Sequence, residues 1–207
     1  AARPSRVVVH ADALAWLDTV KSKKFFAWVH LYDPHAPYEP PEPYASRYAK
    51  TPYLGEIAYT DAVVGRLVAW LRDQGQLERT LVVLTADHGE SLGDHGEAAH
   101  AYFIYGATTH VPLIVRTPWG LQGRNASRVS GVDLMPTVLD LVGLPPEPGV
   151  DGRSLSRALV NPKATLGQVA YSETYFPRYL FGWQRLRSLR DDRYGYTDAP
   201  EPELYDL

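Results

Sequence analysis

The run of residues 80–97 constrains the fold and the chemistry of this chain more than any other segment. It opens with the apolar stretch 81–84 and then reaches Asp87, His88 and a glycine. A short apolar stretch bounded by turn residues is typical of a buried β-strand. A carboxylate and an imidazole at the carboxyl end of such a strand lie where open α/β sheets bind their ligands. The run therefore predicts an α/β protein with a functional site at the end of this strand.

Helical and extended patterns alternate over residues 1–145, which indicates a layered α/β sheet. The predicted helices are 8–22, 53–74 with a cap at Gly75, and 133–142, which begins at Asp133 and ends at Gly143. The predicted strands are 25–32, 81–85, 111–116, 168–172, 185–189 and 193–197. We expect a single domain over 1–207, with an α/β core in 1–145 and short antiparallel strands in 146–207.

Composition excludes several classes of partner. The chain is 45% hydrophobic and 22% charged, as expected for a globular domain, and its net charge of −3 gives no broad electrostatic attraction to nucleic acid or anionic membranes. It contains no cysteine, which removes disulfides, thiolate ligands and a cysteine nucleophile from these residues. No apolar stretch is long enough for a membrane span, and no signal segment is recognisable. We therefore expect neither a nucleic-acid partner nor a membrane span.

Asp87 and His88 are the first candidates for chemistry. Carboxylate oxygen and imidazole nitrogen can share zinc, manganese or magnesium, and bind calcium less readily. For an isolated Asp-His pair the commoner alternative is a turn cap and a histidine bonded to a carbonyl. His35, in a rigid Pro-His-Ala-Pro loop, could hold an oxyanion or protonate a leaving group near neutral pH; the alternative is a solvated loop histidine.

Three further histidines follow the Asp-His pair closely: His95, His100 and His110. Such a cluster favours a metal or anion site, although its spacing matches no compact ligand motif. Two acidic residues of the same region, Asp94 and Glu97, are interpreted as polar loop residues.

Several segments, taken together and in order, resemble the bacterial sulfatases of the alkaline phosphatase superfamily. They are residues 25–41, 85–96, 110–116, 133–144 and 151–155, with 203–207 similar to the family's closing segment. The resemblance covers nearly the whole chain. It implies an α/β/α sandwich around a mostly parallel sheet, and hydrolysis of a sulfate ester, or less often a phosphate ester, at one divalent metal.

The resemblance also implies roles for individual residues. Asp87 and His88 match the family's second pair of metal ligands, and His35 matches the histidine that grips the anionic group near the leaving oxygen. His100 stands where the family has a lysine or histidine contacting the same group, and His110 where it usually has arginine. Calcium is the metal most expected from the family. Since many calcium sulfatases have asparagine at the position of His88, zinc, manganese and magnesium remain open.

Two parts of the family's site have no match in the chain. These are the first metal pair, two adjacent aspartates, and the nucleophile, a cysteine matured to formylglycine or a serine. Residues 2–6 imitate the nucleophile motif with alanine in the reactive position, and we interpret this as coincidence. The chain is therefore expected to match the carboxyl-terminal half to two-thirds of a sulfatase domain, incomplete at its amino-terminal side, and to hydrolyse little by itself.

Two alternatives stay open. One keeps the fold and makes the protein a phosphodiesterase or phosphoglycerol transferase of the same superfamily. The other is a non-catalytic, degenerate domain that binds an anion or a partner. The expected partners are an anionic sulfate or phosphate ester and, through an exposed sheet edge, a second copy. The sequence leaves the compartment open, with a periplasmic or extracellular location compatible with the family.

Overall fold

The structure is a computed structural model that describes the backbone of residues 6–207 and the side chains from residue 11 onward. Residues 2–6, which imitate the nucleophile motif, lie outside the described side chains. Their interpretation as a coincidence therefore stays a prediction. Contacts divide the chain after Leu81 into two compact units, the second being Val82–Leu207. The single domain over 1–207 stays a prediction.

Over its described residues, from Arg6 onward, the first unit contains three α-helices and a short 3-10 turn. The helices are α1 (Arg6–Val20), α2 (Tyr44–Arg47) and α3 (Pro52–Asp73), and the turn is Leu77–Arg79. The predicted helices 8–22 and 53–74 are thereby confirmed. The short α2 was not predicted, because four residues carry too little periodicity to be recognised.

Helix α3 ends as its sequence predicts. Gly75 has a φ of 62°, in the left-handed region that glycine adopts most easily. The Gly75 N–H donates to the Arg72 carbonyl at 2.9 Å and the Gln76 N–H donates to the Leu71 carbonyl at 2.7 Å. These two bonds are the Schellman motif, which satisfies carbonyls that the helix leaves without partners.

The extended segment 25–32 forms no strand, so this prediction is wrong. Its residues pair with no strand in the described part of the chain, and Phe26 and Trp28 are 75% and 77% exposed. An aromatic and β-branched composition gives a segment the capacity for a strand, but a ladder also needs a neighbouring backbone. The composition of 25–32 therefore did not suffice to predict a strand.

The second unit carries two antiparallel sheets. Strand β1 (Val82–Thr85) pairs with β2 (Leu113–Arg116). The larger sheet has the order β3-β4-β5-β6, formed by Ala170–Thr174, Leu186–Arg190, Tyr194–Asp198 and Glu203–Asp206. These strands confirm the predicted strands within a few residues and add β6. The ladders among the described residues are antiparallel, so the parallel part of the expected sheet is not among them.

Short helices connect the strands of the second unit. They are α4 (Gly106–Thr109), α5 (Leu134–Leu141), α6 (Ser156–Val160) and α7 (Phe176–Phe181), with 3-10 turns at Asp94–Gly96 and Gly131–Asp133. The predicted helix 133–142 is confirmed as α5. Asp133 accepts from the Ser130 N–H in a capping box and also from the Arg153 N–H, each at 2.8 Å. In the described residues no helix combines the length and apolar character needed to cross a membrane.

Candidate functional site

Asp87 and His88 lie just beyond the end of β1, in an exposed loop. The His88 N–H donates to Asp87 Oδ1 at 3.0 Å, and His88 Nδ1 lies 2.9 Å from the Gly89 carbonyl. Because a carbonyl only accepts, Nδ1 is the protonated nitrogen of the neutral ring and Nε2 presents a lone pair. This is the tautomer that metal-binding histidines need.

The pair provides part of a metal site. His88 Nε2 and Asp87 Oδ2 are 3.8 Å apart. Since ligand atoms lie roughly 2.0–2.6 Å from a bound cation, this separation is compatible with both atoms binding one ion. Over the described residues, no group of three His, Asp or Glu side chains is placed to hold a metal. The two residues therefore fit a divalent cation as half of a ligand set.

Gly89 anchors the loop that carries this pair. Its N–H donates to the Thr108 carbonyl at 2.8 Å, and a Cβ at this position would lie 2.1 Å from the Ala107 carbonyl oxygen. Only glycine allows so close an approach of the two backbones. The loop after β1 is thereby held against α4.

His100 stacks on His88. The ring centroids are 4.0 Å apart at an interplanar angle of 31°. His100 Nδ1 lies 3.1 Å from Glu90 Oε1, and the Glu90 side chain is 4% exposed. An ionised carboxylate only accepts, so Glu90 fixes Nδ1 as the donor and orients the ring. In the sequence Glu90 resembles any polar residue of a loop.

Glu97 supports the segment that follows His100. It is buried, and its carboxylate accepts hydrogen bonds from the Tyr102 N–H at 2.7 Å and from the Phe103 N–H at 3.2 Å. The Ser91 hydroxyl also donates to it, at 3.2 Å. Glu97 is a polar loop residue, as predicted, and its burial and hydrogen bonds show that it ties two parts of the loop together.

The other two histidines of the predicted cluster have different surroundings. His95 stacks on Tyr105 with centroids 3.6 Å apart and pairs with Asp94 at 3.1 Å. His110 is exposed and follows α4, where its N–H donates to the Gly106 carbonyl at 2.9 Å. Of the three, His100 is the residue whose ring the structure places against His88.

His35 belongs to the first unit and lies in the proline-rich loop before α2. Its Nδ1 lies 2.7 Å from the Ala36 carbonyl and 2.8 Å from the Tyr32 hydroxyl, whose ring lies alongside at 4.3 Å. The carbonyl again assigns the proton to Nδ1, so Nε2 is the nitrogen available to a ligand. His35 thus has the same tautomer as His88.

A fully buried carboxylate on α3 positions the His35 loop. Glu56, with no exposed surface, accepts hydrogen bonds from the backbone N–H groups of His35 at 2.8 Å and of Glu39 at 2.7 Å. Its neighbour Gly55 lets the loop pass close, since a Cβ there would lie 2.7 Å from Pro40 Cγ. Glu56 was missed in the sequence, where it resembles any glutamate on a helix surface.

These segments match a known family. The family model described as Sulfatase matches residues 3–144, which include the loops of His35, Asp87 and His100. The chain belongs to the sulfatase family. The predicted family is thereby confirmed.

Relatives of known activity share this similarity. The chain is 39% identical over 104 residues to arylsulfatase K of Danio rerio, covering 50% of this chain and 20% of that protein. It is 32% identical over 164 residues to N-acetylglucosamine-6-O-sulfatase of Bacteroides thetaiotaomicron, covering 75% and 29%. The chain thus spans only about a fifth to a third of these relatives.

A solved structure confirms the fold class. The phosphonate monoester hydrolase SpPMH from Silicibacter pomeroyi superposes with a TM-score of 0.80 at 26% identity, covering 98% of this chain and 54% of that one. The chain therefore has the alkaline phosphatase-like α/β fold that its sequence predicted, as part of a larger domain in this neighbour.

Proposed function

We propose that the protein to which this chain contributes hydrolyses sulfate esters. The observation that carries the proposal is the pairing of His88 with His100 directly beyond β1, in a chain of the sulfatase family. The relatives named above as sulfatases support the same reaction. Because the chain spans a minor part of them, the activity belongs to the whole protein.

Each candidate residue has a distinct role in this proposal. Asp87 and His88 hold one divalent cation, which supplies Lewis-acid stabilisation of negative charge when it is bound. His100, oriented by Glu90, binds the anionic oxygens next to that pair. His35 donates toward the leaving oxygen through Nε2, as a protonated imidazole would. His110 is proposed as a further cationic contact for the anion.

The nucleophile and the identity of the metal follow from composition, family and ligand chemistry. The chain has no cysteine, so a formylglycine nucleophile would have to come from residues outside these 207. Calcium is the cation suggested by the family, while the imidazole of His88 suits zinc or manganese better and leaves magnesium open. These residues alone are expected to show little turnover, since half of a ligand set binds metal weakly.

A second candidate reaction is the hydrolysis of phosphate or phosphonate esters. It is favoured by the likeness to a phosphonate monoester hydrolase over 98% of this chain. The same residues would serve, since sulfate and phosphate esters both develop charge on the leaving oxygen. The phosphodiesterase and phosphoglycerol transferase alternatives that the sequence left open are included in this second candidate.

The test is turnover by the full-length protein, with an aryl sulfate and a bis-aryl phosphodiester as competing substrates. We expect the aryl sulfate to be preferred and a chelator to abolish the rate, with restoration by the native cation. His100→Ala should lower kcat roughly 10²- to 10⁴-fold, the contribution typical of a positioned acid or anion-binding group. His95→Ala is the matched control, because its ring lies on Tyr105, and it should keep the rate.

Three results would contradict the proposal in different ways. Preference for the phosphodiester would select the second reaction. Equal losses in the His95 and His100 variants would remove the assigned role of His100. Calorimetry that detects no divalent-cation binding to the full-length protein, together with no turnover, would favour a non-catalytic domain.

A further inference from the structure

Backbone strain concentrates in the loop between β1 and α4, which carries the site. Among the described residues, those other than glycine that have a positive φ are Leu92 (50°), His95 (52°) and Ala101 (94°), and all three lie in this loop. In this region a Cβ crowds the backbone, at a cost comparable with the net contribution of one or two hydrogen bonds. Such a conformation persists only where its surroundings hold it in place.

Ala101 has the largest of these angles and directly follows His100. Its φ is the rotation that sets the direction of the peptide group arriving from His100. Relaxation to the ordinary negative region would turn that peptide by roughly 100° or more. The His100 ring would then leave His88, against which it lies with a centroid distance of 4.0 Å. The position of the His100 ring therefore depends on keeping Ala101 in its strained conformation.

A hydroxyl group of the four-stranded sheet contacts this strained residue. Thr174 is the last residue of β3 and pairs with Leu186 of β4. Its hydroxyl donates to the Ala101 carbonyl at 2.7 Å, and its oxygen accepts from the Phe176 N–H at 3.2 Å. Because a carbonyl only accepts, the hydroxyl hydrogen points toward Ala101. The sheet thus provides a fixed donor for the loop.

The peptide group between Ala101 and Tyr102 is held at both of its ends. Thr174 binds its carbonyl, and the buried carboxylate of Glu97 accepts from its N–H at 2.7 Å. With one of these bonds alone, the peptide plane could turn about the remaining contact. The two bonds together fix the plane, and the strained φ then directs His100 from it.

We propose that Thr174 is a positioning residue for His100: its hydroxyl holds the strained Ala101 peptide and thereby keeps the imidazole against His88, where it binds the anion. The strain gives this hydroxyl a role beyond that of an ordinary hydrogen bond. Without it, Ala101 would relax and turn His100 away from the Asp-His pair. This inference rests on the proposed function, which assigns the anion to His100.

The first test compares Thr174→Val with Thr174→Ser in the full-length protein. Valine keeps nearly the same shape without the hydroxyl, so kcat for an aryl sulfate should fall about tenfold. The loss is smaller than for a wholly misplaced group, because the Ser91 N–H still holds the Ala99 carbonyl at 2.8 Å, just before His100. Serine keeps the hydroxyl and should retain most of the parent rate.

A second measurement and a control separate positioning from stability. Calorimetry with inorganic sulfate reports anion binding without turnover, and Thr174→Val should weaken that binding while Thr174→Ser does not. Thr80→Val is the matched control, because the Thr80 hydroxyl also donates to a backbone carbonyl, that of Gln76 at 2.8 Å, in the first unit. This variant should keep the parent kcat and the parent affinity for sulfate.

Ala101→Gly distinguishes positioning from ordinary stabilisation. Glycine adopts a positive φ without strain, so the peptide no longer needs the hydroxyl to stay in place. Combined with Ala101→Gly, Thr174→Val should lower kcat by less than about twofold, a non-additive result. The two substitutions should also be non-additive in sulfate affinity and in the midpoint of thermal unfolding. A hydrogen bond that only stabilises the fold would give the same loss with either residue at position 101.

Several results would overturn the inference. They are additive effects of the two substitutions, and a kcat in Thr174→Ser as low as in Thr174→Val. If Thr174→Val does not fold, Ala101→Gly should restore its folding, and failure to do so would count against the inference equally. Absence of aryl sulfate turnover by the parent protein would contradict the proposed function, whereas the thermal unfolding of the single and double variants would still decide the role of Thr174.

Discussion

Three glutamates position the histidine loops through hydrogen bonds to backbone N–H groups and to one imidazole ring. Glu56 holds the His35 loop through two backbone N–H groups, Glu97 holds the segment after His100 in the same way, and Glu90 orients the His100 ring. Each carboxylate is largely buried, so its desolvation is compensated by these charge-assisted bonds. The histidines are therefore oriented by acidic residues that the sequence does not distinguish from surface glutamates.

Glu56 gives the sharpest prediction at this scale. Glu56→Ala removes the acceptor for two backbone donors and should lower the free energy of unfolding by roughly 2–4 kcal/mol, since each unsatisfied buried donor costs about 1–3 kcal/mol. Glu56→Gln should cost less, because its amide oxygen still accepts one bond. Denaturant titration measures both. Asp61→Ala, an exposed position of the same helix, should stay within about 0.5 kcal/mol of the parent; a loss as large as that of Glu56→Ala would remove the specific role.

At the scale of elements, α3 shows what periodicity predicts and where it stops. The extent of the helix and its glycine cap follow from the sequence. The sequence predicts an apolar face of Ile57, Val64, Leu67, Val68 and Leu71, and of these the structure buries Leu71. The other buried side chains, Glu56, Tyr59 and Val63, have helical spacing of their own, and the polar Glu56 hid that stripe. The buried face of a helix is set by what the helix packs against, which hydropathy alone does not state.

One glycine inside α3 and one just beyond its end should respond to alanine in opposite directions. Gly75 adopts a φ of 62°, where a Cβ costs about 1–2 kcal/mol, so Gly75→Ala should lower the free energy of unfolding by about that amount. Gly65 lies inside the helix with open space around its Cβ position, so Gly65→Ala should raise it by roughly 0.5–1 kcal/mol. Denaturant titration of both variants measures the two changes in the free energy of unfolding. The same sign for both would contradict the assigned cap.

At the scale of the whole molecule, local sequence patterns were sufficient to predict helices and strands. They were insufficient to predict which parts of the chain these elements contact. Strands β4 and β5 were predicted because turn residues bound each of them. Segment 25–32 was also predicted to be a strand, but no strand among the described residues pairs with it. The histidines were recognised by chemistry and resemblance, while the ring contact between His88 and His100 depends on a loop closed by Gly89 and Glu97. Long-range contacts of this kind have no signature in a single sequence.

A long-range side-chain contact near the site joins Tyr105 to β6. The Tyr105 hydroxyl donates to both carboxylate oxygens of Glu203, at 2.9 and 3.0 Å, across 98 positions of sequence. Burial and the adjacent Glu203 carboxylate raise the pKa of Tyr105 to about 12. Since this folded-state pKa lies above the ordinary value of about 10, the fold favours the protonated phenol. The resulting stabilisation is fully present below about pH 10 and is lost as the pH rises toward 12.

Tyr105→Phe tests this contact through its pH dependence. Near neutral pH the variant should lose about 1.5–2 kcal/mol of unfolding free energy, the lower part of the range for a hydrogen bond to a charged acceptor. Because the parent chain loses the same stabilisation on deprotonation, the difference between parent and variant should narrow between pH 10 and pH 12. Denaturant titrations at several pH values measure it. Tyr179→Phe, at a position 80% exposed, is the control and should show no such narrowing. If the difference in unfolding free energy between the parent and Tyr105→Phe stays constant through pH 12, the raised pKa of Tyr105 is contradicted.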